Sequence, residues 1–245
     1  MLFLWATLFG IGFGFVECSV VVYLRSIYYP EGFAFPLKPI TGTIAITELL
    51  REAATLVMLL SFALMAARKA SERFAWFIYL FAIWDIFYYV FLKIMLGWPE
   101  SWLTWDILFL LPLPWVGPVA APLINSFTMI LLAVVIISIS RRGIPAGIRP
   151  QEWLMLLAGS VITILTYTLD YIQYMLERFP IQTFVDNAGR PEVLRYSSWY
   201  TPREFNWILF IIGELLFLAA ITLYLIRNIR TFARARRIRS MEELE

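Results

Sequence analysis

Residues Trp84–Pro122, WDIFYYVFLKIMLGWPESWLTWDILFLLPLPWVGPVAAP, decide how the chain is read. The stretch carries two Trp-Asp pairs, Trp84-Asp85 and Trp105-Asp106, and prolines at 112, 114, 118 and 122, all inside sequence otherwise suited to lipid. An aspartate in hydrocarbon costs several kcal/mol, and a backbone broken out of reach of water leaves carbonyls without partners. Such a segment persists only where protein or a wet cavity surrounds it. The stretch therefore implies a multi-spanning membrane protein with a polar interior.

Composition agrees. The 245 residues are 61% hydrophobic and only 16% charged, against about 45–50% apolar and about 25% charged in soluble domains. A chain of this length holds a single bundle, and a formal charge of +2 gives no reason to expect nucleic acid as a partner. Histidine is absent, which removes His-ligated haem, ordinary zinc sites and His-based triads. The single cysteine, Cys18, excludes an intrachain disulfide or a CxxC pair and reads as a small packing residue. No cofactor is expected. Glu48 and Glu52, one helical turn apart, could share a calcium, magnesium or sodium ion, but no metal-site spacing supports that.

A helix needs roughly 20 apolar residues to cross the hydrocarbon core. Six segments qualify: about 2–24, 43–67, 74–97, 116–140, 153–174 and 205–227. The apolar start MLFLWATLFGIGFGF has no basic n-region and reads as the first span. The expected fold is an all-α polytopic bundle, a single transmembrane domain over residues 1–245. PESWLTWDILFLL, about 99–111, is too short to cross and is expected to form a re-entrant or interfacial half-helix started at Pro99. The loop 177–200 should hold a lid or short surface helix, and Thr201-Pro202-Arg203-Glu204 has the form of a capping box opening the sixth span.

Orientation follows from basic residues. Arg68, Lys69 and Arg73 follow the second span, and Arg141, Arg142 and Arg149 follow the fourth. Arg227, Arg230, Arg234, Arg236, Arg237 and Arg239 follow the sixth, so twelve of the 20 basic residues fall on one side. Both termini are expected to be cytoplasmic, in the plasma membrane of a bacterium or archaeon. The basic tail, 228–245, is expected to rest on anionic lipid.

Seven acids, Glu17, Glu48, Glu52, Asp85, Asp106, Asp170 and Glu214, fall between mid-membrane and the outer surface, with only Arg51 and Lys93 beside them in the spans. Fully ionised, the set would carry five net negative charges, which a low-dielectric interior does not sustain without protons, pairing, water or a cation. One reading is an acid-lined pocket open to the outer face, with Asp85 and Glu214 deepest, Asp170 and Glu17 near its mouth, and Tyr89 and Tyr167 supplying hydrogen bonds. Lys93 and Arg51 would tune the acids. It would bind or transport a small cation, a proton-coupled solute or an amine-bearing ligand. The bland reading is that buried ion pairs simply join helices, as Glu48, Arg51 and Glu52 suggest by their spacing. It suits an accessory or scaffold subunit with partner subunits, or a homo-oligomer. A third class is an enzyme acting on a lipid or lipid-linked substrate through carboxylates.

Overall fold

A computed structural model describes residues 1–38, 42–111, 113–142, 147–182 and 191–242, with side chains as far as residue 231. Six long apolar helices dominate: α1 (Leu2–Tyr28), α2 (Thr43–Ala66), α3 (Ala70–Leu96), α4 (Ala120–Ser140), α5 (Pro150–Leu176) and α7 (Trp207–Glu242). Each holds a window apolar enough to cross a membrane, that of α7 lying within Trp207–Thr231. The chain is thus an all-α, multi-pass membrane bundle. Six crossings put both ends on one face, called here the termini face. The opposite one carries a hairpin and the short helix α6 (Pro191–Ser197).

The third helix is the hub. Of its most apolar window 56% is buried, against 17% for α1 and 22% for α2. It packs on α1, α2 and α4, while α5 and α7 form a second pair joined through α4. Glycine sets how closely these helices meet. A Cβ at Gly14 would lie 2.9 Å from the Trp84 carbonyl oxygen and one at Gly159 would lie 2.8 Å from the Phe217 ring, whereas one at Gly12 would meet nothing within 4 Å.

Local signals explain several boundaries. Gly97 ends α3 in the left-handed region at φ 67°, its N–H donating to the Lys93 carbonyl. Pro150 opens α5, and Glu152 Oε2 accepts from the Arg149 N–H at 2.7 Å. The Thr201–Glu204 box does not open a helix. The sixth span begins at Trp207, and Asn206 caps it by accepting from the Leu209 N–H at 2.9 Å. The surface helix expected within 177–200 is α6, although 183–190 lie outside the described residues. The helix of the sixth span continues through 228–242, but the side chains of Arg234, Arg236, Arg237 and Arg239 also lie outside them.

The expected half-helix over 99–111 is instead the first arm of an antiparallel hairpin, β1 (Trp105–Phe109) with β2 (Trp115–Pro118). Residues 116–118, expected to start the fourth span, belong to β2. Trp105 faces Pro118, Asp106 faces Gly117 and Ile107 faces Val116, with an irregularity before the Phe109–Trp115 pair. Thr104, Trp105, Ile107 and Phe109 suit a pleated strand, and a run this short does not tell helix from buried strand by periodicity. Pro114 and Pro118 further suit an edge rather than a helix interior. Pro112, part of the expected helix stop, lies outside the described residues.

Candidate functional site

The hairpin enters the bundle from the face opposite the termini and is keyed to both helix groups. Asp106, 2% exposed, is held by Arg25 of α1, whose Nη2 donates to Oδ1 at 3.2 Å, and by Tyr89 of α3, whose hydroxyl donates to Oδ2 at 3.2 Å. The Arg25 guanidinium lies 3.7 Å from the Trp98 ring centroid and 4.4 Å from that of Phe33. Deeper in, both Glu52 carboxyl oxygens accept the Leu110 N–H, at 3.0 and 3.1 Å. Glu52 sits about 14 Å along α2 from its first residue, at about 1.5 Å per residue, so the hairpin reaches about two and a half turns down that helix. On the other side Trp115 stacks on Tyr167 of α5 with ring planes 15° apart, and Gly117 lets that ring close on the strand, since a Cβ there would lie 3.1 Å from it.

Two further carboxyls lie on opposite flanks of α4. Asp85 of α3 accepts from Ser126 Oγ at 2.8 Å. Glu214 of α7, buried, accepts from Thr128 Oγ1 at 2.6 Å and from the Asn125 amide. The Tyr167 hydroxyl donates to Asn125 Oδ1 at 2.5 Å. Asn125 and Ser126 are consecutive, so a single turn of α4 carries a polar bridge between α3, α5 and α7. Among the described residues no cationic side chain pairs with Asp85 or Glu214.

The other expected site residues find separate partners. Arg51 joins Glu17 of α1 to Glu48 of its own helix, the second contact at 2.8 Å. Asp170 accepts from the Tyr200 hydroxyl at 2.6 Å and from the Arg203 N–H at 3.3 Å, tying α5 to the segment before α7. Burial, and the bond to Asp170, push the Tyr200 phenol well above its ordinary range. Close by, the bond from Arg203 holds the Glu177 carboxyl below the usual carboxylate range. Lys93 joins none of the acids. Its Nζ donates to the Gly97 and Pro99 carbonyls at 3.0 and 2.7 Å, closing the end of α3.

The structure thus links Tyr167 to Glu214 through Asn125 and sets Asp85 on the neighbouring Ser126, while Asp106 and Tyr89 are bonded to each other. It leaves Glu17, Glu48 and Arg51 as one cluster, and Glu52, Asp170 and Lys93 as separate anchors. Sequence reasoning missed Arg25, Asn125, Ser126 and Thr128. The sequence does hold a signal for the last three: they are the polar residues of the otherwise apolar outer half of α4. Among the described residues no three acidic or sulfur side chains converge as a metal site.

What fold and site define is a class, a multi-pass helical membrane protein with buried carboxyls and a β-hairpin packed among its helices. Set against known families, curated proteins and solved structures, the chain matches none.

Proposed function

We propose that this protein binds, and by binding admits or transports, a small cation or a proton-coupled solute at Asp85 and Glu214, entering from the hairpin face. The observation that carries the reading is the pairing pattern. Five of the seven acids meet a guanidinium, a tyrosine hydroxyl or a backbone N–H. Asp85 and Glu214 instead meet only small neutral donors on α4. A buried carboxyl without a cationic neighbour answers its burial by taking a proton or a cation. Tyr167 and Asn125 would position that ligand between the two, and the hairpin would cover it. The basic residues of the termini face support a cytoplasmic setting for that face under the positive-inside rule, and on that orientation the site would be reached from outside.

A scaffold role is the second reading. It is supported by how firmly Arg51, Glu17 and Glu48 join α1 to α2, a construction suited to presenting a rigid surface.

The test uses purified protein in mild detergent, with unfolding temperature read against sodium, potassium, magnesium, calcium and ethylammonium at constant ionic strength. A cation at a hundredfold its Kd stabilises by about 2.7 kcal/mol, or about 5–10 °C for a chain of this size. Asp85→Asn and Glu214→Gln, both nearly isosteric, should erase that rise while leaving the protein monodisperse. A flat response to every cation defeats the cation reading, and an equal rise in both variants defeats the assignment to Asp85 and Glu214. Stable co-purification of other subunits with a silent Asp85→Asn would favour the scaffold.

A further inference from the structure

A second feature lies at the other end of the bundle and is independent of Asp85 and Glu214. Between the start of α5 and the α7 segment around residues 223–231, a cavity of about 590 Å³ opens on the termini face. Its floor is an ion pair: Arg227 Nε and Nη2 donate to the two Glu152 carboxyl oxygens, both at 2.8 Å, and Nη2 also donates to the Gly147 carbonyl at 2.9 Å. Glu152 is buried and saturated by this contact and by the Arg149 N–H. Arg149 and Arg230 also line the cavity, yet among the described residues neither forms a salt bridge. Among the described residues the cavity thus holds two guanidiniums outside any salt bridge, beside the neutral donor of Gln151. Its remaining wall is apolar, from Leu223 and Ile226, each 43% exposed.

We propose that this cleft binds the phosphate of an anionic phospholipid, with Arg149 and Arg230 on the phosphate and Leu223 and Ile226 against the first part of an acyl chain. Arginine's planar fork matches phosphate oxygens, and two such groups facing one cavity form a clamp. Depth agrees with a headgroup. Arg149 directly precedes α5, and Arg230 and Thr231 follow shortly after the apolar run of α7, which ends at Ile226. A soluble anion would make no use of the apolar wall, and that wall is what selects lipid over free phosphate. The site also differs from a diffuse attraction to the distal tail, because its arginines line one cleft with an apolar wall beside a packed ion pair.

The experiment is native mass spectrometry of the delipidated full chain, titrated with dioleoyl phosphatidylglycerol, dioleoyl phosphatidylcholine or sodium phosphate. Phosphatidylglycerol should form a one-to-one adduct at least tenfold tighter than phosphatidylcholine. R149Q/R230Q should bind it roughly 30-fold more weakly, from about fivefold per arginine near an anionic surface. R234Q/R236Q/R237Q, in the distal tail, should bind like wild type. Each single variant should lose about fivefold, so the single variants carry the test if the double variant cannot be extracted. Equal adducts for the two lipids, undiminished binding by R149Q/R230Q, or loss confined to the tail variant overturns the proposal. So does inorganic phosphate binding as tightly as the lipid, which would assign the cleft to a soluble anion.

Discussion

Replacing Arg25 by Met tests whether the hairpin is held as described. The substitution keeps an apolar stem of similar length and removes the guanidinium that faces Asp106 at 3.2 Å. Asp106 is 2% exposed and Arg25 is 8% exposed, so water cannot take the missing partner's place. Breaking a buried pair from one side costs about 3–5 kcal/mol, because the remaining charge stays buried. The stacking of Arg25 on Trp98 and Phe33 adds to the loss. At about 2–4 °C per kcal/mol for a chain of this size, the unfolding temperature in mild detergent should fall by about 6–20 °C. The companion is Arg25→Met with Asp106→Asn, which removes both charges and leaves Tyr89 a neutral partner. It should recover more than half of the loss, since the penalty lies in the orphaned carboxylate rather than in the absent pair. Two outcomes refute the reasoning: a fall below about 2 °C for Arg25→Met, or a double variant no more stable than the single one.

Two further outcomes follow from the packing and the loops. Gly14→Ala places a methyl 2.9 Å from the Trp84 carbonyl and should destabilise by about 1–3 kcal/mol, while Gly12→Ala, with open space around it, should be neutral; equal denaturation midpoints would remove the close α1–α3 contact. The Glu177 carboxyl, lowered by Arg203, contributes stability above the ordinary carboxylate range and loses it as pH falls through its own lowered value. Site-resolved carboxyl carbon NMR in nanodiscs should therefore give a lower midpoint in wild type than in Arg203→Gln, and equal midpoints would dissolve the pair.

The six spans are readable from sequence because hydrocarbon imposes one requirement, length of apolar helix, that every crossing segment must meet. The hairpin is not, because WLTWDILF satisfies strand and helix alike over so few residues, and its choice is made by tertiary partners. Glu52 accepting the Leu110 N–H and Arg25 facing Asp106 are contacts across 58 and 81 residues, invisible to local pattern. The same holds at Asn206. The Thr201–Glu204 box has the right composition for a cap, but Asp170 takes the Arg203 N–H and Tyr200, so the segment stays extended until Asn206. Asp85 and Glu214 were legible as deep acids, whereas the α4 bridge between them was not. Asn125, Ser126 and Thr128 are cheap to bury singly and draw notice only once α3 and α7 are seen on either side.

A strand in a membrane also changes what an intramembrane carboxyl means. A helix satisfies its own backbone, so an acid on it must be explained by ligand, proton or partner. A two-stranded hairpin has open edges, and each N–H on them needs an acceptor where water is absent. Glu52 is that acceptor for Leu110, and Asp106 is the hairpin's own anchor to Arg25 and Tyr89. Acids that serve the hairpin are accounted for by architecture and leave no capacity for a ligand. Those on α3 and α7 meet only the hydroxyls and amide of α4, groups that can turn away at small cost, as the proposed cation binding requires. That asymmetry separates Asp85 and Glu214 from the rest, and it rests on what each acid touches rather than on how deep it lies.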